Sequence, residues 1–248
     1  MPGRYSKRQV SRAGEHLASR LHELRATSRP SLVNETDAED VLAREVVNWW
    51  RDQHLGPMLD VHDAVAELAP PMMLDDEVVH AVGSRLKRFP AIIDKLTREP
   101  GKLADMVDLG GVRAVVETQD EVDWLRGQLE TRVDVRRVRD WARSPRASGY
   151  RAVHLHVRRD RYLVEVQLRT FGQDAWANLV EEEGRVSGHD YKSGRGPAEV
   201  LAFFRLVADL TASVELGETH PDIASRMAVA LHEARPHLTA RTFKRLGS

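Results

Sequence analysis

Residues 150–170 read YRAVHLHVRRDRYLVEVQLRT, and apolar and polar side chains alternate through both halves of the run. Successive side chains of a strand project to opposite faces, so this alternation predicts a β-hairpin. Val157 and Tyr162 are the last apolar residues on either side of the turn Arg158–Arg161. Pairing across that turn sets His154 opposite Glu165, Ala152 opposite Gln167 and Tyr150 opposite Arg169, with Val153 against Val166 and Leu155 against Val164. One face is then an apolar core layer. The other gathers Tyr150, His154, His156, Glu165, Gln167 and Arg169, side chains that stack, hydrogen-bond and bind metals as well as meeting solvent.

Working outward, RVDVRRV before the hairpin reads as a further strand, and the Val112–Val116 run behind Gly110-Gly111 as another. Helical patterns surround them: two in residues 37–68, separated near Gly56-Pro57; DDEVVHAVGSRLKRF; PAIIDKLTRE, with Pro90 in its first turn; DEVDWLRGQLE; FGQDAWANLVEEEGR; and AEVLAFFRLVADLTASVEL. Strands mixed with helices in the middle and helices at both ends predict an α+β fold, a mixed β-sheet core flanked by helices. Residues 1–36 are polar and read as a loosely docked or mobile arm, 37–220 as the main domain, and 221–248 as a peripheral helical extension.

The 248 residues carry a net charge of −1, which excludes a uniformly basic nucleic-acid coat, although Arg and Lys crowd residues 132–169. Cysteine is absent, so disulfides, thiolate metal sites and cysteine nucleophiles are excluded. No apolar run reaches membrane-spanning length and the first residues lack the apolar core of a signal peptide, so the expected location is the cytoplasm, with no membrane partner.

A second carboxylate, Asp108, stands in MVDLGG at the mouth of the Val112–Val116 strand. Asp108 with Glu165 suits a hard cation that keeps several waters and bridges phosphates, the habit of Mg²⁺. Arg113 lies off the apolar alternation of its strand. Arg85, Lys87 and Lys95 add charge from the preceding segment, and Arg143, Arg146 and Arg151 from the loop before the hairpin; together they suit phosphate oxygens. Two other readings stand beside this one: a mononuclear metal site of His154, His156 and Glu165, and a nucleotide-binding sensor without turnover.

Taken in order, Arg85-Leu-Lys87, Lys95, DLGGVR (108–113), Asp140-Trp141, Pro145-Arg146, GYRAVH (149–154), EVQLRT (165–170) and Asp174-Ala-Trp176-Ala177 resemble the synthetase domain of the RelA/SpoT family, which makes (p)ppGpp. The similarity covers residues 85–192, and the absence of other domains makes the chain similar to single-domain small alarmone synthetases. The resemblance implies a nucleotidyltransferase-like core and transfer of the β,γ-pyrophosphate of ATP to the 3′-hydroxyl of GDP or GTP, with release of AMP. It implies that Arg85, Lys87, Lys95 and Arg113 bind ATP, that Asp108 and Glu165 hold Mg²⁺, and that Glu165 helps deprotonate the hydroxyl. Tyr150 would stack on guanine and Asp174 would accept from its edge, with His154 and Gln167 also at the acceptor and Arg146, Arg151 and Arg169 on phosphates. Toxic members of the group make adenosine alarmones or modify the 3′ end of tRNA, so tRNA as acceptor, an antitoxin partner and a homo-oligomer are left open.

Overall fold

The computed structural model describes residues 4–27, 37–74, 77–79, 81–99, 101–218, 221–240 and 242. The central sheet has five strands in the order β3-β4-β7-β6-β5: β3 is Val82–Leu86, β4 Gly110–Val116, β5 Asp134–Asp140, β6 Val153–Arg159 and β7 Tyr162–Thr170. All neighbours are antiparallel except the central pair β4–β7, which is parallel. A separate hairpin joins β1 (Met72–Leu74) to β2 (Glu77–Val79).

The hairpin forms where the alternation places it, and its register differs from the expectation by two residues. Arg159 pairs with Tyr162, so His156 faces Glu165, His154 faces Gln167, and Val153 faces Leu168. The strands run on through the charged residues to a two-residue turn, because Asp160 adopts the left-handed region at φ 53 that such tight turns require. A slip of two preserves which face each side chain occupies, so the apolar and polar sets stand as expected.

The apolar face of the sheet, Val112, Ala114 and Val116 with Val153, Leu155, Val157, Val164, Val166 and Leu168, is covered by α3 (Leu55–Leu68) and α5 (Gln119–Arg132). Met58, Val61 and Val65 line one helix, and Val122, Leu125 and Leu129 the other, at the three- and four-residue spacing of one helical stripe. α3 begins after Gln53-His54 rather than at Gly56-Pro57, with Pro57 accommodated in its first turn. The stretch expected as the helix DDEVVHAVGSRLKRF instead gives β2 and β3. The alternating exposure of Val82–Leu86 fits an edge strand that pairs Val82 with Ala114 and Leu86 with Gly110.

Residues 7–27, expected within a loosely docked arm, form helix α1, Lys7–Thr27. Val10, Ala13, Leu17 and Leu24 make a narrow buried stripe within a polar composition; the first three pack with Ala43, Val46 and Val47 of α2 (Ala38–Asp52) and Ile92 and Ile93 of α4 (Phe89–Arg98). The remainder of that arm, 28–36, lies outside the described residues. At the other end, α6 (Phe171–Ser187), α7 (Ala198–Glu215) and α8 (Ile223–Ala234) share a third cluster with Tyr150. Residues 241 and 243–248 of the expected extension are outside the described set.

Candidate active site

β7 passes into α6 without a loop: Thr170 closes the strand and also caps the helix, its hydroxyl accepting from the Gln173 N–H. Asp174, Asn178 and Glu181 are thereby carried over the polar face of the sheet. Two rows of side chains cross that face. The register places Arg85, Gly111, Glu165, His156 and Arg137 in one row, and Gly83, Arg113, Gln167, His154 and Arg139 in the next. The glycines leave the floor bare at β3 and β4. There a cavity of ≈ 470 Å³ opens, lined by Arg85, Arg113, Gln167, Asp174 and Glu181, a size suited to a small-molecule ligand.

The backbone ladder continues past the first row, where the Lys87 N–H donates to the Leu109 carbonyl at 2.8 Å. That step sets Lys87 beside Asp108. Asp108 Oδ2 accepts from Lys87 Nζ at 3.0 Å and from Lys95 Nζ at 2.9 Å, whereas its Oδ1 is buried without a partner. Lys95, which bonds Asp108, also lends its charge to Glu165.

Glu165 sits deeper. Burial alone would raise its carboxyl, but a hydrogen bond from His154 Nδ1 at 3.0 Å, the Gln167 amide at 2.7 Å and the charge of Lys95 outweigh that and hold it below the usual carboxylate range. Burial pushes His154 down, so the ring is neutral. The Tyr150 phenol is pushed up, chiefly by burial, and keeps its proton. The directions of the bonds follow: Tyr150 Oη–H donates to His154 Nε2 at 2.6 Å, and His154 Nδ1–H donates to Glu165.

Several expected roles meet a different geometry. Tyr150 is 2% exposed and offers no open stacking surface: Trp141 and Trp176 bracket it at 6.0 and 6.2 Å, and Lys192 Nζ, Arg169 and Arg146 lie over its ring at 4.8, 5.4 and 5.7 Å. Its neighbours are aromatic and cationic. Arg169, expected on phosphate, is fully buried and bonds Asp174, Tyr150 and Gln167. Arg151 turns away to the Ala208 carbonyl and Asp209 of α7. Arg146 stacks on Trp141 at 4.2 Å, at the rim. Asp174 is held by Arg169 and Arg113 at 2.9 and 3.0 Å. Arg85 is exposed and makes no ion pair among the described residues.

Both ring nitrogens of His154 are engaged, and no group of three His, Cys, Asp or Glu side chains fit to hold a metal occurs among the described residues. A histidine-ligated mononuclear site is therefore not what the face builds. The unpartnered Oδ1 of Asp108 and the carboxylate of Glu165 are hard oxygen donors that fit a cation sharing its remaining positions with water and phosphate. Arg137 and Arg139, missed in the sequence, stand on the same face; their period-two spacing in RRVRD was the available signal.

A family model described as the region found in RelA / SpoT proteins matches residues 84–194. Over 112 residues the chain is 30% identical to GTP pyrophosphokinase YwaC of Bacillus subtilis, covering 39% of this chain and 53% of that protein. The chain thus spans about half the length of that relative. Among solved structures, a GTP pyrophosphokinase family protein from Streptococcus pneumoniae superposes with a TM-score of 0.56 at 21% identity, covering 74% of this chain and 98% of that one. Small alarmone synthetase 1 from Bacillus subtilis, bound to its product pppGpp, gives 0.54 at 20%, covering 67% and 90%. At such identities the likeness establishes a shared fold. No helix among the described residues is long and apolar enough to cross a membrane.

Proposed function

We propose, from the premise that this chain carries a RelA/SpoT region over residues 84–194, that it transfers pyrophosphate from ATP to the 3′-hydroxyl of a guanosine nucleotide. The observation that carries this reading is an ionised, doubly hydrogen-bonded Glu165 in register with Gly111 and Arg85, which with Arg113 line the cavity, and a Lys87–Asp108–Lys95 cluster just beyond the ends of the same two strands β3 and β4. ATP would enter that cavity with its phosphates toward the cluster. Arg85, which has no ion pair of its own among the described residues, would grip them with Lys87, Lys95 and Arg113.

Asp108 Oδ1 and Glu165 would hold Mg²⁺, which when bound supplies charge neutralisation to the transferring phosphates. The hydroxyl oxygen attacks the β-phosphorus in line, the bond from that phosphorus to the α-phosphate oxygen breaks, and AMP leaves. Glu165 is too weak a base to take the proton early. It orients the hydroxyl by accepting its hydrogen bond, and receives the proton as the new O–P bond forms and the hydroxyl becomes acidic. Such chemistry relies on alignment and electrostatics more than on base strength. The acceptor base would displace Arg146 and Lys192 from the ring of Tyr150 and take their place.

The test is incubation of the protein with γ-labelled ATP, Mg²⁺ and GDP, GTP, ATP or deacylated tRNA in separate reactions, beside Glu165→Gln. Label on a guanosine nucleotide, absent with Glu165→Gln, is the expected result. Label on tRNA or adenosine nucleotide alone would overturn the acceptor assignment, and label nowhere would leave a nucleotide sensor.

A further inference from the structure

Five side chains on the polar face close a ring. Arg169 Nη2 donates to the Tyr150 oxygen and to Gln167 Oε1, both at 2.8 Å. From Tyr150 one arm runs through His154 to Glu165 Oε1; from Gln167 the other runs through its amide to Glu165 Oε2 at 2.7 Å. Both arms leave one guanidinium and end on the two oxygens of one carboxylate. Residues 165, 167 and 169 share a face because they lie two apart on β7, and the arm through Tyr150 and His154 comes from β6 and the segment before it.

We propose that Arg169 and Tyr150 are positioning residues that fix the Glu165 carboxylate through this ring, Arg169 having no contact with phosphate. The inference rests on the reading of Glu165 as the group that meets the hydroxyl and the cation. Stability alone explains the arrangement poorly. Arg169 is fully buried with its Nε unpartnered, and a buried guanidinium of that kind is commonly replaced by well-packed apolar residues at no loss of stability. What the ring provides is orientation: with a bond to each oxygen, Glu165 cannot rotate, and its remaining lone pairs point at fixed positions. His154 is locked as the Nδ1–H form, since Nδ1 must donate to the ionised Glu165 and Nε2 accepts from the phenol.

Tyr150→Phe removes one link while keeping the aromatic ring. In long-range ¹H–¹⁵N spectra, His154 is expected as the Nδ1–H form in both proteins, held by the ionised Glu165, with its Nε2 resonance shifted in Tyr150→Phe by loss of the phenol donor. Turnover should fall by roughly 10–100-fold, as should affinity for Mn²⁺ used as the probe cation, while KM for ATP changes less than about two-fold, within the scatter of non-contacting changes. Should Tyr150→Phe fail to fold, Arg169→Lys is read by the same spectra. An unchanged His154 signal with unchanged Mn²⁺ affinity would overturn the ring even in an active enzyme; a wild-type protein without transfer activity that shows the shift would overturn the proposed reaction and leave the ring standing.

Discussion

Glu165 and His54 show how burial sorts charge in this protein. Glu165 is ionised because its neighbours donate to it, and Glu165→Gln should lower transfer by about 10²–10⁴-fold and also lower the melting temperature, because its amide nitrogen meets a donor where the second carboxylate oxygen accepted. His54 is buried, donates its Nδ1–H to the Trp50 carbonyl at 2.9 Å and packs edge-on against Trp50 and Tyr162; burial pushes it below its ordinary 6.5. The unfolded chain therefore takes up a proton at a higher pH than the folded one. Stability from His54 is complete above pH 6.5 and falls as the pH drops toward the lower folded value. The urea midpoint should decline from pH 7 to 5, and His54→Gln should flatten that decline; an equal slope in both proteins would place the effect elsewhere. The exposure of single residues was the least legible part of the sequence. Tyr150 was expected open because its own strand is polar on that side, and what covers it comes from Trp141, Trp176 and Lys192, which periodicity within the hairpin does not register.

Among the elements, the hairpin shows why a pattern can place a site while missing its partners. Parity fixes the face, so His154, Glu165 and Gln167 were assigned together; the register depends on the turn, which turned on the backbone of Asp160. Asp160→Gly should leave stability unchanged or raise it, whereas Asp160→Val should cost about 1–2 kcal/mol in urea unfolding, because a β-branched residue resists the left-handed region. β3 departs from the expected helix for a different reason: as an edge strand it is hydrogen-bonded along one side only, to β4, and shows little apolar burial of its own. The loop before β6 is equally constrained. Gly149 has φ 90, and a Cβ there would lie 2.7 Å from that of Ala208, so Gly149→Ala should displace Tyr150 and reduce turnover more than the neighbouring surface change Arg143→Ala.

At the scale of the whole molecule, the helices outside the motif segment are structural parts of the site. α1 and α2 bury Ile92 and Ile93 of α4, the helix that carries Lys95 to Asp108. Leu17→Ala should therefore cost about 2–5 kcal/mol in unfolding and weaken ATP binding, read as a raised KM; a raised KM without loss of stability would point to direct contact instead. The stripe that docks α1 was present in the sequence, but four apolar residues in a charged helix resemble a solvated arm when composition is the guide. The parallel ladder of β4 and β7 has a temporal consequence. Gly110 must wait for Val164, and Val116 for Thr170, so the innermost pairing of the sheet is also among the last to be synthesised. Folding should be slow for so local-looking a chain, because distant segments must meet before the centre closes. On the ribosome, a nascent chain short of β7 has neither the central ladder nor Glu165, and whatever reaction this site performs is withheld until translation has passed it.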